Sequence, residues 1–173
     1  YEISLGLVGS EMCIRDSSKG KDIIPLSEEK RHTLSYLEIQ QSRYRDIMEF
    51  EINIPPELDE VMVPKLTLQP LAENALYHGI KNKRGKGRIV VTGRREKDKC
   101  VIRVEDNGIG MTKERLNQVR GGLTTKIEDS NDFYGLYNVN ERIRLKFGEE
   151  YGLSIDSVLQ EGTCVEVWLP WES

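Results

Sequence analysis

Histidine, cysteine and phenylalanine are all scarce in this chain of 173 residues, which has two, three and three of them. Cys13, Cys100 and Cys164 show neither the paired spacing of a metal site nor the even number of a disulfide framework. Two of them fall within strand patterns, and the expectation is buried, reduced thiols in a cytoplasmic protein. No apolar run approaches the ~20 residues of a membrane span. No basic segment followed by a long apolar core marks a secretory leader. Excess positive charge is also missing: the net charge is −4 with 31% charged residues, so a nucleic-acid partner is not expected. The basic cluster from Lys81 to Arg88 is interrupted by Asn82, Gly85 and Gly87 and reads as a solvated connection. Internal repeats and low-complexity tracts are absent. What remains fits one compact domain with an appendage, long enough to bury a core.

Residues 1–17, YEISLGLVGSEMCIRDS, have no helical period, and position 1 is not methionine. This string resembles translated sequencing-adapter read-through; the other reading is a disordered native tail. On the first reading it is no part of the fold, and upstream coding sequence is expected to be missing. Leu26-Ser27-Glu28-Glu29 is a helix start, with Ser27 able to cap and two carboxylates where the helix dipole favours them. Leu34, Leu37, Tyr44 and Met48, with Gln41 between, keep three- and four-residue spacings. Such a stripe needs a partner, either the following domain or an upstream helix.

Pro55-Pro56 marks a boundary. Beyond it, a helix is expected from near Pro64, with Leu68, Leu71, Ala72, Ala75 and Leu76 on its apolar face. Two strands, Arg88 to Arg95 and Lys99 to Asp106, are joined by the turn Glu96-Lys97-Asp98. Thr112 caps a short helix to Arg120, and Gly121 to Phe133 reads as a mobile, lid-like loop. A helix with buried Leu136, Val139, Ile143 and Phe147 ends at Gly148, and a last hairpin turns at Glu161-Gly162. The fold class expected is α/β (α+β): a two-layer sandwich with a mixed, mostly antiparallel sheet, helices on one face, and one long helix in front.

Three stretches carry chemistry. Asn74 and His78 are four apart and share a helix face. An Asn amide oxygen is a neutral, hard ligand suited to Mg²⁺. Asp106-Asn107-Gly108-Ile109-Gly110-Met111 leaves a strand end. Alone it describes an Asx-type turn. A carboxylate there accepts from the exocyclic amine of adenine, whereas guanine presents a carbonyl, so the position selects ATP over GTP. Gly108 and Gly110 permit unusual backbone angles and let a flat base approach the main chain. Gly135, before the Leu136 helix, lets phosphates reach the amides of a helix start. Thr163 is placed to meet Asp106 through a water, or equally to be an ordinary strand residue.

Taken in order, these stretches match a family. Leu68 to Gly79 (LQPLAENALYHG) resembles the N box of sensor histidine kinases of the LytS/YesM type. Asp106 to Met111 resembles their first glycine box, and Gly135 to Arg142 (GLYNVNER) their second. Leu34 to Gln40 with Arg43-Tyr44 resembles the second helix of their dimerisation and phosphotransfer hairpin. The resemblance implies the Bergerat ATP-binding sandwich of gyrase, Hsp90 and MutL ATPases. It implies an ATP site of Asn74, Tyr77, His78, Asp106, Gly108, Gly110, Met111, Gly135, Leu136 and Thr163, with Asn74 holding Mg²⁺. It divides the chain into residues 18–50, the hairpin helix, and 51–173, the ATP-binding catalytic domain. Transfer of the ATP γ-phosphoryl group to a histidine, then to a response regulator, follows from the same resemblance. So do a homodimer and a membrane-anchored full-length protein with this part in the cytoplasm.

The sequence departs from that pattern in two places. No Pro-His-Phe acceptor motif is present: the histidines are His32, read as a surface helix residue, and His78 in the N box. The lid carries Phe133-Tyr134-Gly135 where many relatives have Gly-x-Gly. Pro70 stands where water-activating ATPases of the superfamily carry glutamate, which weighs against a hydrolase of the gyrase or MutL kind. A nucleotide-binding module without turnover is the remaining alternative.

Overall fold

The computed structural model describes residues 22–125 and 134–171. The expected tail, 1–17, and most of the expected lid, 126–133, lie outside the described residues. A short strand β1 (Ile23–Pro25) leads directly into helix α1 (Leu26–Arg43). Strand β2 (Met48–Asn53), a 3₁₀ turn (Pro56–Leu58) and strand β3 (Met62–Pro64) follow. Helix α2 (Leu68–Asn74) continues without a break into a π-helical turn (Ala75–Ile80). Then come β4 (Gly87–Glu96), β5 (Lys99–Asp106), α3 (Lys113–Gly122), α4 (Tyr134–Phe147), β6 (Gly152–Val158) and β7 (Gly162–Pro170).

The main sheet has the order β2-β4-β5-β7-β6, parallel between β2 and β4 and antiparallel elsewhere. Strand alternation sorts its two faces. Cys100, Ile102, Val104 and Asp106 of β5 stand opposite Leu169, Val167, Val165 and Thr163 of β7, and all eight are buried. Ile89 and Val91 of β4 extend the same face. Leu68, Leu71, Ala72, Ala75 and Leu76 of α2 and its π turn, with Leu136, Val139 and Ile143 of α4, join it in one core cluster. The opposite face carries ion pairs, Arg94–Glu166 between strands at 3.0 Å and Arg103–Glu105 along β5 at 2.6 Å. These exposed pairs keep that face solvated and contribute little to stability. Burial pushes the thiol of Cys100 in the core up to about 12, and that of Cys164, expected buried but only half-buried on the opposite face, up to about 11, so both stay protonated.

The expected two-layer sandwich is present, and its deviations from expectation have local causes. Ser27 does not cap α1; Pro25 occupies the cap position, because the antiparallel pairing of β1 with β3 carries extended backbone up to Pro25. The inward residues of α1 are Leu26, Glu29, Thr33, Leu37 and Gln40. Leu34 is exposed, with Thr33 inward instead, and the helix ends at Arg43, so Met48 is buried from β2 and not from the expected stripe. The partner of α1 is the following domain, since Leu26 and Leu37 join the main core cluster. The division expected between residues 50 and 51 falls inside β2, which is bonded to β4. Helix α2 starts at Leu68 rather than near Pro64, because β3 occupies Met62–Pro64. Gly121 and Gly122 end α3 instead of opening a loop, and Gly135 lies in the first turn of α4 rather than before it. Thr112 does cap α3, its hydroxyl accepting from Arg115 N–H at 3.1 Å.

One buried amide ties the lower half together. Asn140 of α4 donates from Nδ2 to Leu123 O at 2.9 Å and accepts from Leu153 N–H at 2.9 Å. It thus joins the end of α3, helix α4 and the start of β6. Asn140→Ala is expected to cost about 2–3 kcal/mol, through the two buried backbone groups it leaves unpaired. Thr112→Ala should cost only about 1 kcal/mol. Urea unfolding of the two variants checks this order.

Candidate nucleotide site

At the end of β5 the sheet, the α2 helix and the β6–β7 hairpin meet around a cavity of about 300 Å³. Asn74, His78, Gly79 and Asn82 line one wall. Asp106, Ile109, Gly110, Met111, Thr112 and Arg115 form the second, and Leu159 and Thr163 close it. Of the residues expected there, Asn74, His78, Asp106, Gly110, Met111 and Thr163 are brought together.

The others sit elsewhere. Tyr77 is exposed and does not line the cavity; Lys81 Nζ lies 4.8 Å from its ring centroid. Leu136 is buried in the core, and Gly135 is exposed in the first turn of α4. Gly108 stands just behind the wall, with a role different from the one expected. It lacks a positive φ, so it is not there for an unusual backbone angle. A Cβ on it would come 2.3 Å from the Gly79 carbonyl carbon. A Cβ on Gly79 would come 2.5 Å from Asp106 Oδ1. The two glycines let the helix backbone rest directly on the Asp106 loop, and Ile109 N–H donates to Gly79 O at 3.2 Å. Gly110 has φ +67 and packs its Cα against the Val158 carbonyl, closing the loop on the hairpin.

Gly79 was missed in the sequence. Its signal was present, a glycine one residue after His78 in a helix otherwise free of it, where glycine carries a conformational cost. The π turn was not legible at all. Lys81 N–H reaches back five residues to Leu76 O at 2.9 Å. Such widened turns occur at functional sites, and here the turn starts immediately after Asn74.

Asp106 is buried, and burial raises its carboxyl from 3.8 to about 6. Backbone N–H groups of Gly108, at 2.9 Å, and Thr163 oppose the rise. Lys83 pulls in the same direction; its ammonium donates to Asn107 O at 2.8 Å. The Thr163 hydroxyl pairs with Ser157 Oγ at 2.9 Å. Asn74 is likewise buried, and its Oδ1 finds no hydrogen-bond partner among the described residues. A buried amide oxygen without a donor is costly, and this one belongs to a residue that lines the cavity. Two other such atoms, the Tyr36 hydroxyl and Gln40 Oε1, lie on α1 and do not line it. A hard cation fits an oxygen of this type, and an amine donor fits Asp106.

A mixed five-stranded sheet, helices on one face, and a buried acid at a strand end facing a polar helix wall define a two-layer ATP-binding sandwich of the Bergerat type. The family model for histidine kinase-, DNA gyrase B-, and HSP90-like ATPases matches residues 64–173, and the chain belongs to that family. It is 36% identical over 151 residues to sensor histidine kinase YesM of Bacillus subtilis, a match covering 87% of this chain and 24% of YesM. It is 29% identical over 157 residues to sensor histidine kinase BtsS of Escherichia coli, covering 91% and 26%. It is 34% identical over 148 residues to sensor protein LytS of Bacillus cereus, covering 86% and 25%. The chain therefore spans about a quarter of the length of these relatives. Among solved structures, the catalytic domain of histidine kinase ThkA aligns with a TM-score of 0.62 at 13% identity, over 86% of this chain and 94% of that one. The mycobacterial sensor histidine kinase MprB aligns at 0.57 and 18%, over 86% and 95%. These structures share the fold.

The raised Asp106 acid has a consequence for stability. The folded chain holds this proton more tightly than the unfolded chain does. The group is therefore neutral, and harmless to stability, below about pH 4, and it destabilises progressively as pH rises toward 6. The displacement corresponds to roughly 3 kcal/mol at neutral pH. Asp106→Asn removes that charge but loses part of the pairing to backbone N–H. It is expected to raise the melting temperature at pH 7.5 by about 3–6 °C, with the gain vanishing near pH 4. Thermal melts across this range test the sign.

Proposed function

We propose that this chain is the ATP-binding catalytic part of a two-component sensor histidine kinase. The observation that carries the reading is the pairing, across one cavity, of the buried Asp106 carboxylate with the buried, unpartnered Asn74 oxygen. Asp106 accepts from the exocyclic amine of adenine and rejects guanine. Gly108 and Gly79 hold that carboxylate in place. His78, Gly110, Met111 and Thr163 surround the nucleotide, and Arg115 adds a cation to the same wall. Asn74 Oδ1 is the ligand for Mg²⁺, which when bound neutralises phosphate charge. Gly135, in the first turn of α4, offers a helix start to the phosphates. Tyr77 and Leu136 support the site from outside it.

Neither histidine of the chain is the phosphoryl acceptor. His32 is exposed on α1, and His78 lines the cavity. The acceptor lies on a first hairpin helix outside these residues, with α1 as the second. An imidazole nucleophile needs no water-activating carboxylate, and Pro70 supplies none. A response regulator takes the phosphoryl group next. The full-length protein is a homodimer anchored in the membrane, with this part in the cytoplasm; no described helix is long and apolar enough to cross a membrane.

Mixing the chain with Mg²⁺, γ-labelled ATP and a family hairpin bearing the acceptor histidine tests the proposal. Label is expected on the hairpin and not on the chain alone, with His32→Ala unchanged. Phosphate release without hairpin labelling would make the chain an ATPase, and binding alone would make it a module without turnover. Asp106→Asn should lower ATP affinity at least tenfold, about 1.4 kcal/mol. Wild-type affinity should fall as pH drops through about 6, where Asp106 takes up its proton.

A further inference from the structure

Helix α2 carries Asn74, yet its amino terminus is not capped by its own residues. Thr67 occupies the cap position and is a favoured residue type there. Its backbone is helical instead of extended, it makes no side-chain cap bond, and its hydroxyl donates to Pro64 O at 2.6 Å. The amides are taken by Glu29 of α1, nearly forty residues earlier. Glu29 Oε1 accepts from Leu66 N–H at 2.9 Å, and Oε2 accepts from Thr67 N–H at 3.1 Å and Leu68 N–H at 3.0 Å. The other side of the same turn is held by Arg142 of α4, which donates to Lys65 O and, at 2.7 Å, to Leu66 O. Leu66 sits at φ 57 with its side chain exposed. A non-glycine residue adopts that conformation only when its surroundings over-determine it. Here the amide is fixed by α1 and the carbonyl by α4.

We propose that Glu29 is a positioning residue for the nucleotide cavity, clamping with Arg142 the Lys65–Leu68 turn that aims Asn74. The inference rests on the reading of that cavity as a Mg²⁺–nucleotide site. The turn leads straight into α2, whose Leu68, Leu71 and Ala72 are buried against the core. A rigid helix transmits a shift of its first turn to its last residue, and that residue is Asn74. Asp106, by contrast, sits on β5, is paired along β7, and meets this helix only beyond Asn74, where Gly79 rests on its loop. A displacement of α1 relative to the sheet would therefore act first on the metal-ligand half of the site, and less on the adenine half, which β4 and β7 hold. Helix α1 would then act on catalysis through Glu29, with no contact to nucleotide.

The test uses the full chain and a fluorescent ATP analogue, titrated with and without Mg²⁺. Glu29→Gln keeps the size of the side chain but turns an acceptor into a donor facing backbone N–H groups. Mg²⁺-dependent affinity is expected to fall about tenfold or more, while affinity without Mg²⁺ changes less than about twofold, and Glu29→Asp is expected to recover part of the loss. In the nucleotide-free chain, amide exchange across residues 66–80 should speed up without change in β5 and β7. A purely structural role would weaken both affinities together, and that result overturns the proposal. Unaltered Mg²⁺-dependent affinity, or unaltered exchange in residues 66–80, overturns it as well. If Glu29→Gln does not fold, Arg142→Gln releases the same turn from the other side and must give the same split. A wild-type chain that binds no nucleotide would sink the functional reading, and the exchange measurement would then decide the clamp by itself.

Discussion

Everything in the cavity depends on one crowded contact, the Gly79 backbone lying against Gly108 with the Asp106 carboxylate beside it. A methyl group on either glycine would overlap its neighbour, at 2.5 Å for Gly79 and 2.3 Å for Gly108. The helix that carries Asn74 and His78 is thereby brought onto the end of β5. Gly162 does the same from the other side, since a Cβ there would come 2.0 Å from the Asp106 carbonyl. Three backbones converge where side chains would have kept them apart. The close packing excludes water from Asp106 and raises its acid. The packing that gives the carboxylate its place on the cavity wall is therefore also what makes it costly.

The N box helix adapts to this contact by widening. Its first half, Leu68–Asn74, is α-helical and buries Leu68, Leu71 and Ala72. The second half loosens into a π turn, Ala75–Ile80, closed by Lys81 N–H on Leu76 O. The extra residue keeps Ala75, Leu76 and Ile80 in the core while His78 and Gly79 stay on the cavity wall. An α-helix alone would rotate one of these groups out of place. The change of helix type falls next to Asn74, where the core-facing and cavity-facing demands on the chain diverge.

Much of this was legible in the sequence because the signals are short-range. Alternation gave β4, β5 and the final hairpin to within a residue or two, since a strand with one solvated face must alternate. The strand-end acid and the Asn74–His78 spacing led to the cavity wall. The errors arise where a distant partner decides. Glu29 does stand in the first turn of α1, but that its carboxylate takes the three amides of residues 66–68 was not legible. Met48 read as the end of a helical stripe, whereas pairing with Gly87 draws it into a strand. Tyr77 and Leu136 entered through family pattern alone, and a pattern does not say which side of a wall a residue occupies.

Two buried carboxylates in one small domain invite comparison. Glu29 receives three backbone N–H groups, from residues far from it in sequence, and holds together elements that would otherwise be separate. Asp106 receives two, from Gly108 in its own loop and Thr163 on the paired strand, and burial still dominates its acid. A carboxylate whose protein donors are sufficient is structural, because nothing further is gained by giving it another partner. A carboxylate left short of donors, beside an amide oxygen with none, retains capacity for a ligand that donates to one and is coordinated by the other. That unspent capacity lines one cavity, whereas the unpartnered Tyr36 hydroxyl and Gln40 Oε1 lie on α1 away from it. It distinguishes this cavity wall from the Glu29 turn, where the protein's own amides satisfy the buried carboxylate.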